Sequence, residues 1–207
     1  MRTDYRADKY GRTFAGKQQR GFSLIELMFV CIVLAIIAAL AIPNIMQIVN
    51  TYKLDAAGHS VASLLQQARM QAVKTNLPAY ANTTGGSPNM VFVATDPNAA
   101  YAVGNPDVAL SPSISFQPPG SGSGFHSQLD TYLGGSTPQM GGTIAFNARG
   151  LPCIANVSNP SVCTATTGGF EWFMQSTYGW EAVTVTAAGR IKSWRLTSQS
   201  NGTYTWQ

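Results

Sequence analysis

Side chains able to carry out acid–base or metal chemistry are scarce in this chain of 207 residues, which has two histidines and nine acidic residues. His59 and His126 each have one aspartate four residues away, Asp55 and Asp130. A single His–Asp pair falls short of both a metal site and a catalytic set. The sequence also has no phosphate-binding loop, HExxH or GxSxG pattern. We therefore expect no enzyme activity, metal or cofactor, and interpret both histidines as solvent-facing or loop residues.

Two of the three cysteines, Cys153 and Cys163, flank a loop rich in Pro, Asn and Ser. Outside the cytoplasm such a pair predicts a disulfide, and closing so short a loop would add roughly 2–3 kcal/mol to stability. The alternative is a pair of reduced, partly buried thiols. The third cysteine, Cys31, lies in an apolar run, where a thiol behaves as a small hydrophobe.

A cluster of basic residues near the end of the chain is the main candidate for anion binding: Arg190, Lys192 and Arg195, with Trp194 among them. On a strand, Arg190 and Lys192 project to one face, and Arg195 breaks this alternation unless a bulge or turn intervenes. The preceding apolar run and the Ala-Ala-Gly sequence predict a hairpin. One interpretation is a solvated strand face that prevents edge-to-edge pairing. The other is a phosphate-contacting patch with Trp194 stacking on an unpaired base.

The global charge gives this cluster no support. The formal net charge is +4, but residues 1–21 alone hold six basic and two acidic side chains. The rest of the chain keeps seven of the 13 basic and seven of the nine acidic residues, a formal net charge of zero. Binding of an anion by the body must therefore depend on a local patch.

One carboxylate stands in an otherwise apolar segment. No charged residue occurs over the 26 positions between Glu26 and Lys53, a length that spans about 30 Å of hydrocarbon as a helix. The basic residues in front place the start of the chain in the cytoplasm. A carboxylate inside a membrane helix costs roughly 2.5–3.5 kcal/mol. The α-amine freed by cleavage before Phe22, supplied by another copy, would remove that cost.

Two other interpretations of the segment are weaker. A secretory signal peptide has a shorter apolar core, and no A-x-A-like cleavage site sits cleanly before a polar mature start here. A plain membrane anchor needs no cleavage site, but it leaves Glu26 unexplained.

The eight residues from Gly21 to Met28, GFSLIELM, resemble the processing motif of type IV prepilins and type II secretion pseudopilins. The resemblance implies that a prepilin peptidase cuts between Gly21 and Phe22 and methylates the new amino terminus. Glu26 would then neutralise the amine of a neighbouring subunit during assembly. Pro43 stands where these families often carry a helix-bending proline.

Beyond Pro43 the apolar pattern becomes amphipathic, with Val61, Leu64, Leu65, Ala68, Ala72 and Val73 at helical spacing. One helix of about 80 Å is predicted for Phe22–Asn76, with Pro78 ending it. Past Pro78 the pattern predicts a surface loop over Gln117–Gly142 and strands at Met90–Ala94, Ile114–Phe116, Thr143–Phe146, Phe170–Met174, Ala182–Thr186 and Arg190–Leu196. The predicted fold is α+β with an antiparallel, β-rich domain.

The predicted organisation is a leader (1–21), the transmembrane half of the helix (22–50), its amphipathic half (51–77) and a β-rich domain (78–207). Residues 68–76 resemble the helix end of GspH/FimT-type minor pilins and pseudopilins. Gly189, Arg190 and Lys192 resemble the Gly-Arg-x-Arg element of FimT-type pilins that bind DNA, with Lys192 in place of the second arginine.

These resemblances imply a minor subunit of a type IV pilus or a type II secretion pseudopilus. The alternatives are a DNA-binding minor pilin acting in DNA uptake and an anchored surface domain that never polymerises. The expected partners are other pilin or pseudopilin subunits, prepilin peptidase, the inner membrane and, in the second interpretation, DNA. The expected location is the bacterial inner membrane, with one span and the body in the periplasm, and then the assembled pilus or pseudopilus.

Overall fold

One long helix, α1, runs from Leu24 to Thr75 and accounts for 52 residues, about 78 Å of length. Its first half is apolar and exposed, and the helix is long and apolar enough to cross a membrane, with a mean hydropathy of 3.0 in its most apolar window. Burial against the rest of the protein begins at Leu54. The predicted helix over Phe22–Asn76 is confirmed to within two residues at each end.

In its second half, α1 buries one stripe of small and aliphatic residues, and the helix then stops. Asn76 adopts a left-handed backbone conformation (φ 56°), and Pro78 follows two residues later. Val73 was expected to belong to this stripe, but the residue is 53% exposed and lies outside it. The buried residues of the helix are Leu54, Ala57, Gly58, Val61, Ala62, Leu64, Leu65, Ala68 and Ala72.

The computed structural model describes residues 22–84, 89–117, 125–134, 139–140, 142–200 and 203–207. After α1 it contains one short helix, α2 (Ser127–Leu133), and twelve strands. The strands are β1 (Ala79–Thr84), β2 (Met90–Ala94), β3 (Asp107–Ala109), β4 (Ser115–Phe116), β5 (Gln139–Met140), β6 (Ile144–Phe146), β7 (Pro152–Ala155), β8 (Cys163–Ala165), β9 (Phe170–Ser176), β10 (Gly179–Val185), β11 (Ile191–Ser200) and β12 (Thr203–Trp206).

The strands form two sheets. Sheet I has the order β3-β2-β1-β6-β7-β8, and sheet II has the order β12-β11-β10-β9-β4, with β5 beside β9. Apart from the short β5–β9 contact, the pairings among the described strands are antiparallel. The predicted architecture, a long apolar helix followed by an antiparallel β-rich domain, is confirmed.

Sheet II is covered on both faces, because successive side chains on each strand point in opposite directions. Toward α1, residues such as Trp172, Val183 and Ile191 join the main core with the helix stripe and sheet I. Toward α2, a second cluster is built largely from aromatic side chains. Its buried members are Phe125, Leu129, Phe173, Ala182, Trp194 and Trp206.

The helix α2 corrects the predicted loop over Gln117–Gly142. Within that span, residues 118–124, 135–138 and 141 lie outside the described part of the chain. In the described part, Phe125, Leu129 and Leu133 are buried, so this segment is part of the core. Its apolar residues are too few to show a helical period in the sequence, and sheet II supplies the surface that they cover.

The chain divides into two compact units, one that ends at Pro43 and a second, Asn44–Gln207. The second unit includes the amphipathic part of α1 together with both sheets. Within it, Cys153 and Cys163 form the predicted disulfide, with 5.5 Å between their Cα atoms. The bridge joins the neighbouring strands β7 and β8.

Candidate functional sites

The first turn of α1 presents the residues of the predicted processing site. Phe22 precedes the helix and is 80% exposed. Glu26 lies in the first helical turn, where a negative charge interacts favourably with the helix dipole. Among the described residues, no cation pairs with Glu26. Gly21 lies outside the described residues. The roles of Gly21, Phe22 and Glu26 in cleavage, methylation and assembly stay predictions.

Pro43 lies inside α1 rather than at its end. Proline has no amide hydrogen, so the carbonyl of Ala39 loses its usual helical donor. The position coincides with the end of the first compact unit. The kink expected at Pro43 stays a prediction.

The hairpin predicted before the basic cluster is present, and its turn depends on a glycine. The Thr186 amide donates to the Arg190 carbonyl at 2.9 Å, and the Gly189 amide donates to the Thr186 carbonyl at 2.7 Å. Gly189 has a φ of 80°, which disfavours residues with a side chain. Arg190 closes this turn, is exposed, and directly precedes β11, which begins at Ile191.

The register of this hairpin separates the predicted basic residues. Strands β10 and β11 pair without interruption from Val185 and Ile191 to Glu181 and Arg195. The bulge that would bring Arg195 beside Lys192 is therefore missing, and the first irregularity comes at Leu196. Lys192 and Trp194 face the α2 side, whereas Arg195 faces the α1 side. The expectation of one patch made by all three basic residues is wrong, because Arg195 lies apart. Arg190 and Lys192 share a face as predicted, with their cationic groups 5.7 and 5.9 Å from the centroid of the Tyr132 ring.

Trp194 is unavailable for stacking on a base. Its side chain is 7% exposed, and its indole N–H donates to the Thr184 hydroxyl at 2.8 Å. The ammonium of Lys192 lies 3.4 Å from the ring centroid, and the Tyr132 ring packs edge-on at 4.8 Å. The prediction of a stacking role for Trp194 is wrong, because strand alternation turns the ring into the aromatic cluster under α2.

The structure groups a different set of cations. Between the end of α1 and the β10–β11 turn lies a groove of about 560 Å³, which we call the cationic groove. Arg69, Lys74 and Arg190 are the basic residues of its lining, and none of them pairs with a carboxylate in the described part of the chain; the Arg190 guanidinium also lies over the Tyr132 ring. Its full lining is Gln66, Arg69, Met70, Val73, Lys74, Gly189, Arg190 and Ile191.

Arg69 also connects the two sides of the groove, α1 and the β10–β11 turn. One guanidinium nitrogen donates to the Gly189 carbonyl at 3.0 Å. A Cβ atom on Gly150 would lie 3.1 Å from Arg69 Nε, and one on Gly189 would lie 3.3 Å from Arg69 Cζ. The two glycines therefore leave room for the arginine. Sequence reasoning missed this site, because 120 residues separate Arg69 from Gly189.

A buried acid–histidine pair lies between α2 and sheet II. Glu171 is fully buried, and its Oε2 lies 3.1 Å from His126 Nδ1. Burial, helped by the negative charge of Asp130, raises the pKa of Glu171 to about 8. Burial also lowers the pKa of His126, although Asp130 opposes this effect. Burial therefore favours the uncharged form of both groups near neutral pH, with Glu171 Oε2 and His126 Nδ1 within hydrogen-bond distance of each other.

A second buried carboxyl, Glu181, packs against α1 at Gly58. A Cβ atom on Gly58 would overlap the Glu181 side chain, so the glycine makes this approach possible. Burial, with a smaller contribution from Asp55, raises the pKa of Glu181 to about 8, and Arg195 acts in the opposite direction. Two features of the sequence could have indicated these buried carboxyls. For Glu171 it is a glutamate within the apolar strand Phe170–Met174, and for Glu181 it is Gly58 inside the amphipathic half of the helix.

Comparison with known proteins adds to this description. A family model described as the prokaryotic N-terminal methylation motif matches residues 16–42. No curated protein matches the chain. Two crystal structures of the type IV minor pilin FimU of Pseudomonas aeruginosa (strain PAO1) resemble it. One, in space group P65, has 13% identity and a TM-score of 0.43 over 73% of this chain and 97% of that chain. The other, in space group P21, has 12% identity and a TM-score of 0.41 over 75% and 95%.

Proposed function

We propose that this chain, whose N-terminus is that of the type IV pilin-like superfamily, is a minor subunit of a type IV pilus or a type II secretion pseudopilus. The observation that carries the proposal is the methylation motif over residues 16–42, with Glu26 inside an uncharged helix. Such motifs belong to structural subunits rather than to enzymes.

Processing prepares the subunit for assembly. Cleavage between Gly21 and Phe22 removes the basic leader and leaves a cationic amine at the start of an apolar helix. Glu26 of a neighbouring subunit then accepts this amine, which offsets the roughly 2.5–3.5 kcal/mol that an unpaired carboxylate costs in the membrane. During assembly, the exposed apolar side chains of the first half of α1, such as Ile32 and Leu40, leave contact with lipid and pack against the helices of neighbouring subunits.

The compartment of the body follows from two further features. The basic leader favours a cytoplasmic start, which sends the body across the inner membrane into the periplasm. The Cys153–Cys163 disulfide suits an oxidising compartment.

Intact-mass measurement tests this proposal. When the chain is expressed with a prepilin peptidase, we expect it to lose residues 1–21 and to gain the mass of one methyl group on Phe22. A Gly21→Val variant should keep its full length, whereas the control Gly11→Val, another leader glycine, should be processed like the parent. A parent protein that still begins at Met1 would refute the proposal and favour the anchored domain that never polymerises.

A second candidate function, DNA binding by the assembled subunit, is favoured by one observation, the cationic groove. Its charges come from Arg69, Lys74 and Arg190, none of them paired with a carboxylate in the described residues. Unpaired cations on one surface release counterions when they contact phosphates, so such binding weakens steeply with salt. Trp194 has no part in this version of the hypothesis, and Arg195 faces another side of the body.

Gel shifts of the detergent-solubilised chain at low salt test this second function. A Lys74→Gln/Arg190→Gln variant is expected to bind DNA at least about tenfold more weakly and to lower the salt slope by about two. The control Lys53→Gln removes a charge from the same helix, about 30 Å from Lys74, and should bind like the parent. Equal binding by the groove variant and the parent would contradict this function.

A further inference from the structure

The short helix α2 covers the aromatic side of sheet II. Phe125, just before the helix, and Leu129 belong to the aromatic cluster, and both are buried. Leu133 packs over Gly169, where a Cβ atom would overlap the leucine side chain. The main core lies on the other face of the sheet and includes no residue of α2. Detachment of this seven-residue helix can therefore leave the main core closed.

Three hydrogen bonds fasten α2 to the last strand, β12. The side-chain amide of Gln128 donates to the Trp206 carbonyl at 3.0 Å, and its oxygen accepts from the Trp206 amide at 2.8 Å. The Trp206 indole N–H donates to the Phe125 carbonyl at 3.0 Å. None of these groups titrates, so we expect their contribution to the attachment of α2 to be the same at acidic and alkaline pH.

The polar contact beneath α2 does depend on pH. Glu171 is fully buried and meets His126 at 3.1 Å, while its Oε1 and the Oδ1 of Asp130 are buried without a hydrogen-bond partner in the described residues. A carboxylate at this place would be a buried charge with one neutral partner and a second carboxylate nearby, which is costly. The carboxyl form avoids that cost, and burial raises the pKa of Glu171 to about 8.

The cations on this side of the sheet do not offset that cost. The charged and titratable groups here, besides Glu171, are His126, Asp130 and Tyr132 of α2, Arg190 before β11, Lys192 of β11 and Tyr204 of β12. Thr184 stands between Glu171 and Lys192 in the strand pairing, and the Lys192 ammonium lies over the Trp194 ring. The charged residue of β10, Glu181, faces the α1 side.

We propose that α2 is a pH-controlled latch: loss of the Glu171 proton releases α2 from sheet II and opens the aromatic cluster to solvent. The hydrogen bonds of Gln128 set how often the latch opens, and Glu171 makes the opening depend on pH. Phe173 and Trp206, both buried beneath α2, become exposed in the open state. This opening is local and precedes the unfolding of the body. It requires neither cleavage of the leader nor polymerisation.

Hydrogen–deuterium exchange of the full chain in mild detergent, read by mass spectrometry at pH 6.5 and 8.5, tests the latch. After correction for the intrinsic pH dependence of exchange, residues 125–134 of the parent should exchange at least about tenfold faster at pH 8.5, because the closed state binds the Glu171 proton more tightly than the open state. Strands β1 and β6 of sheet I should keep their protection at both pH values.

Two single variants separate the parts of the device. Glu171→Gln should remove the pH dependence of exchange in α2, whereas the control Glu181→Gln, which changes the buried carboxyl on the opposite face, should keep it. Gln128→Leu removes the hydrogen bonds to Trp206 and should speed exchange of α2 by the same factor at both pH values.

Three outcomes would overturn the inference: equal protection of α2 at the two pH values in the parent, an equal loss of protection in β1 and β6, or an unchanged pH dependence in Glu171→Gln. The second outcome would assign the effect to unfolding of the whole body. The first two are read from the parent alone, so the inference stays testable even when Glu171→Gln fails to fold.

Discussion

Replacing Glu26 by Gln is expected to lower incorporation of the subunit into filaments by a factor of ten or more. The carboxylate sits in the first turn of a helix that carries no other charge until Lys53. Pairing with a neighbour's amine recovers roughly 2.5–3.5 kcal/mol of burial cost, and each 1.4 kcal/mol corresponds to a factor of ten. Glutamine keeps the shape of the side chain but cannot neutralise the amine, which is then buried with an unpaired charge.

The measurement is the ratio of subunit in sheared filaments to subunit in the cell, by quantitative immunoblotting. Asp107→Asn provides the matched control, because it removes an exposed carboxylate from the body. Intact mass should show that Glu26→Gln still loses its leader, which separates assembly from processing. Filament levels equal to those of the parent would remove the assigned role of Glu26.

The second large effect concerns stability against pH. The pKa values of Glu171 and Glu181 are both raised from 4.5 to about 8 in the folded protein. The folded state therefore binds more protons than the unfolded state between these values. Stability from these groups is present in full below pH 4.5 and is lost as the pH rises through about 8. Each group contributes on the order of 3–5 kcal/mol to this change.

Other groups near the two carboxyls modify this dependence. The lowered pKa of His126 acts in the opposite direction, since stability from His126 is present above its ordinary value of 6.5 and is lost as the pH falls through its folded value. Asp130 faces the Glu171–His126 pair, while Asp55 and Arg195 face Glu181. Because the effects of two glutamates outweigh the opposite effect of one histidine, the net result is a lower free energy of unfolding at pH 8.5 than at pH 5.5.

Urea unfolding of the full chain in mild detergent, followed by tryptophan fluorescence at both pH values, measures this effect. The double variant Glu171→Gln/Glu181→Gln is expected to be more stable than the parent at pH 8.5 and to lose most of the pH dependence. Glutamine has nearly the same shape and leaves the contacts with His126 and Gly58 in place. Equal pH dependence of parent and variant would show that the carboxyls are not the source.

Local patterns predicted much of the architecture correctly. The lack of charge between Glu26 and Lys53 predicted the apolar helix, and Pro78 predicted its end. The six predicted strands correspond to β2, β4, β6, β9, β10 and β11, because alternation and turn residues are properties of neighbouring positions. The spacing of Cys153 and Cys163 predicted a bridge that the structure contains.

The partition of side chains between the faces of sheet II depended on register. Arg195 and Lys192 are three residues apart, and only uninterrupted pairing with β10 shows that they lie on opposite faces. One interpretation had Trp194 stacking on an unpaired base, yet the aromatic cluster beneath α2 encloses it. The prediction missed α2 and six strands: β1, β3, β5, β7, β8 and β12. Apart from β1, these strands have four residues or fewer and α2 has seven, too few to show a period.

The sequence by itself determined the long apolar helix, the N-terminal methylation motif, the disulfide and the β-rich domain after the helix. Each of these depends on residues close together in the chain, whose spacing directly reflects helix rise, strand alternation or loop closure. Tertiary structure alone decided the cationic groove, the burial of Glu171 and Glu181 and the place of Arg195 on the α1 side of sheet II. These sites join residues far apart in the chain, so the packing of α1 and α2 against sheet II sets which charges are paired, buried or free.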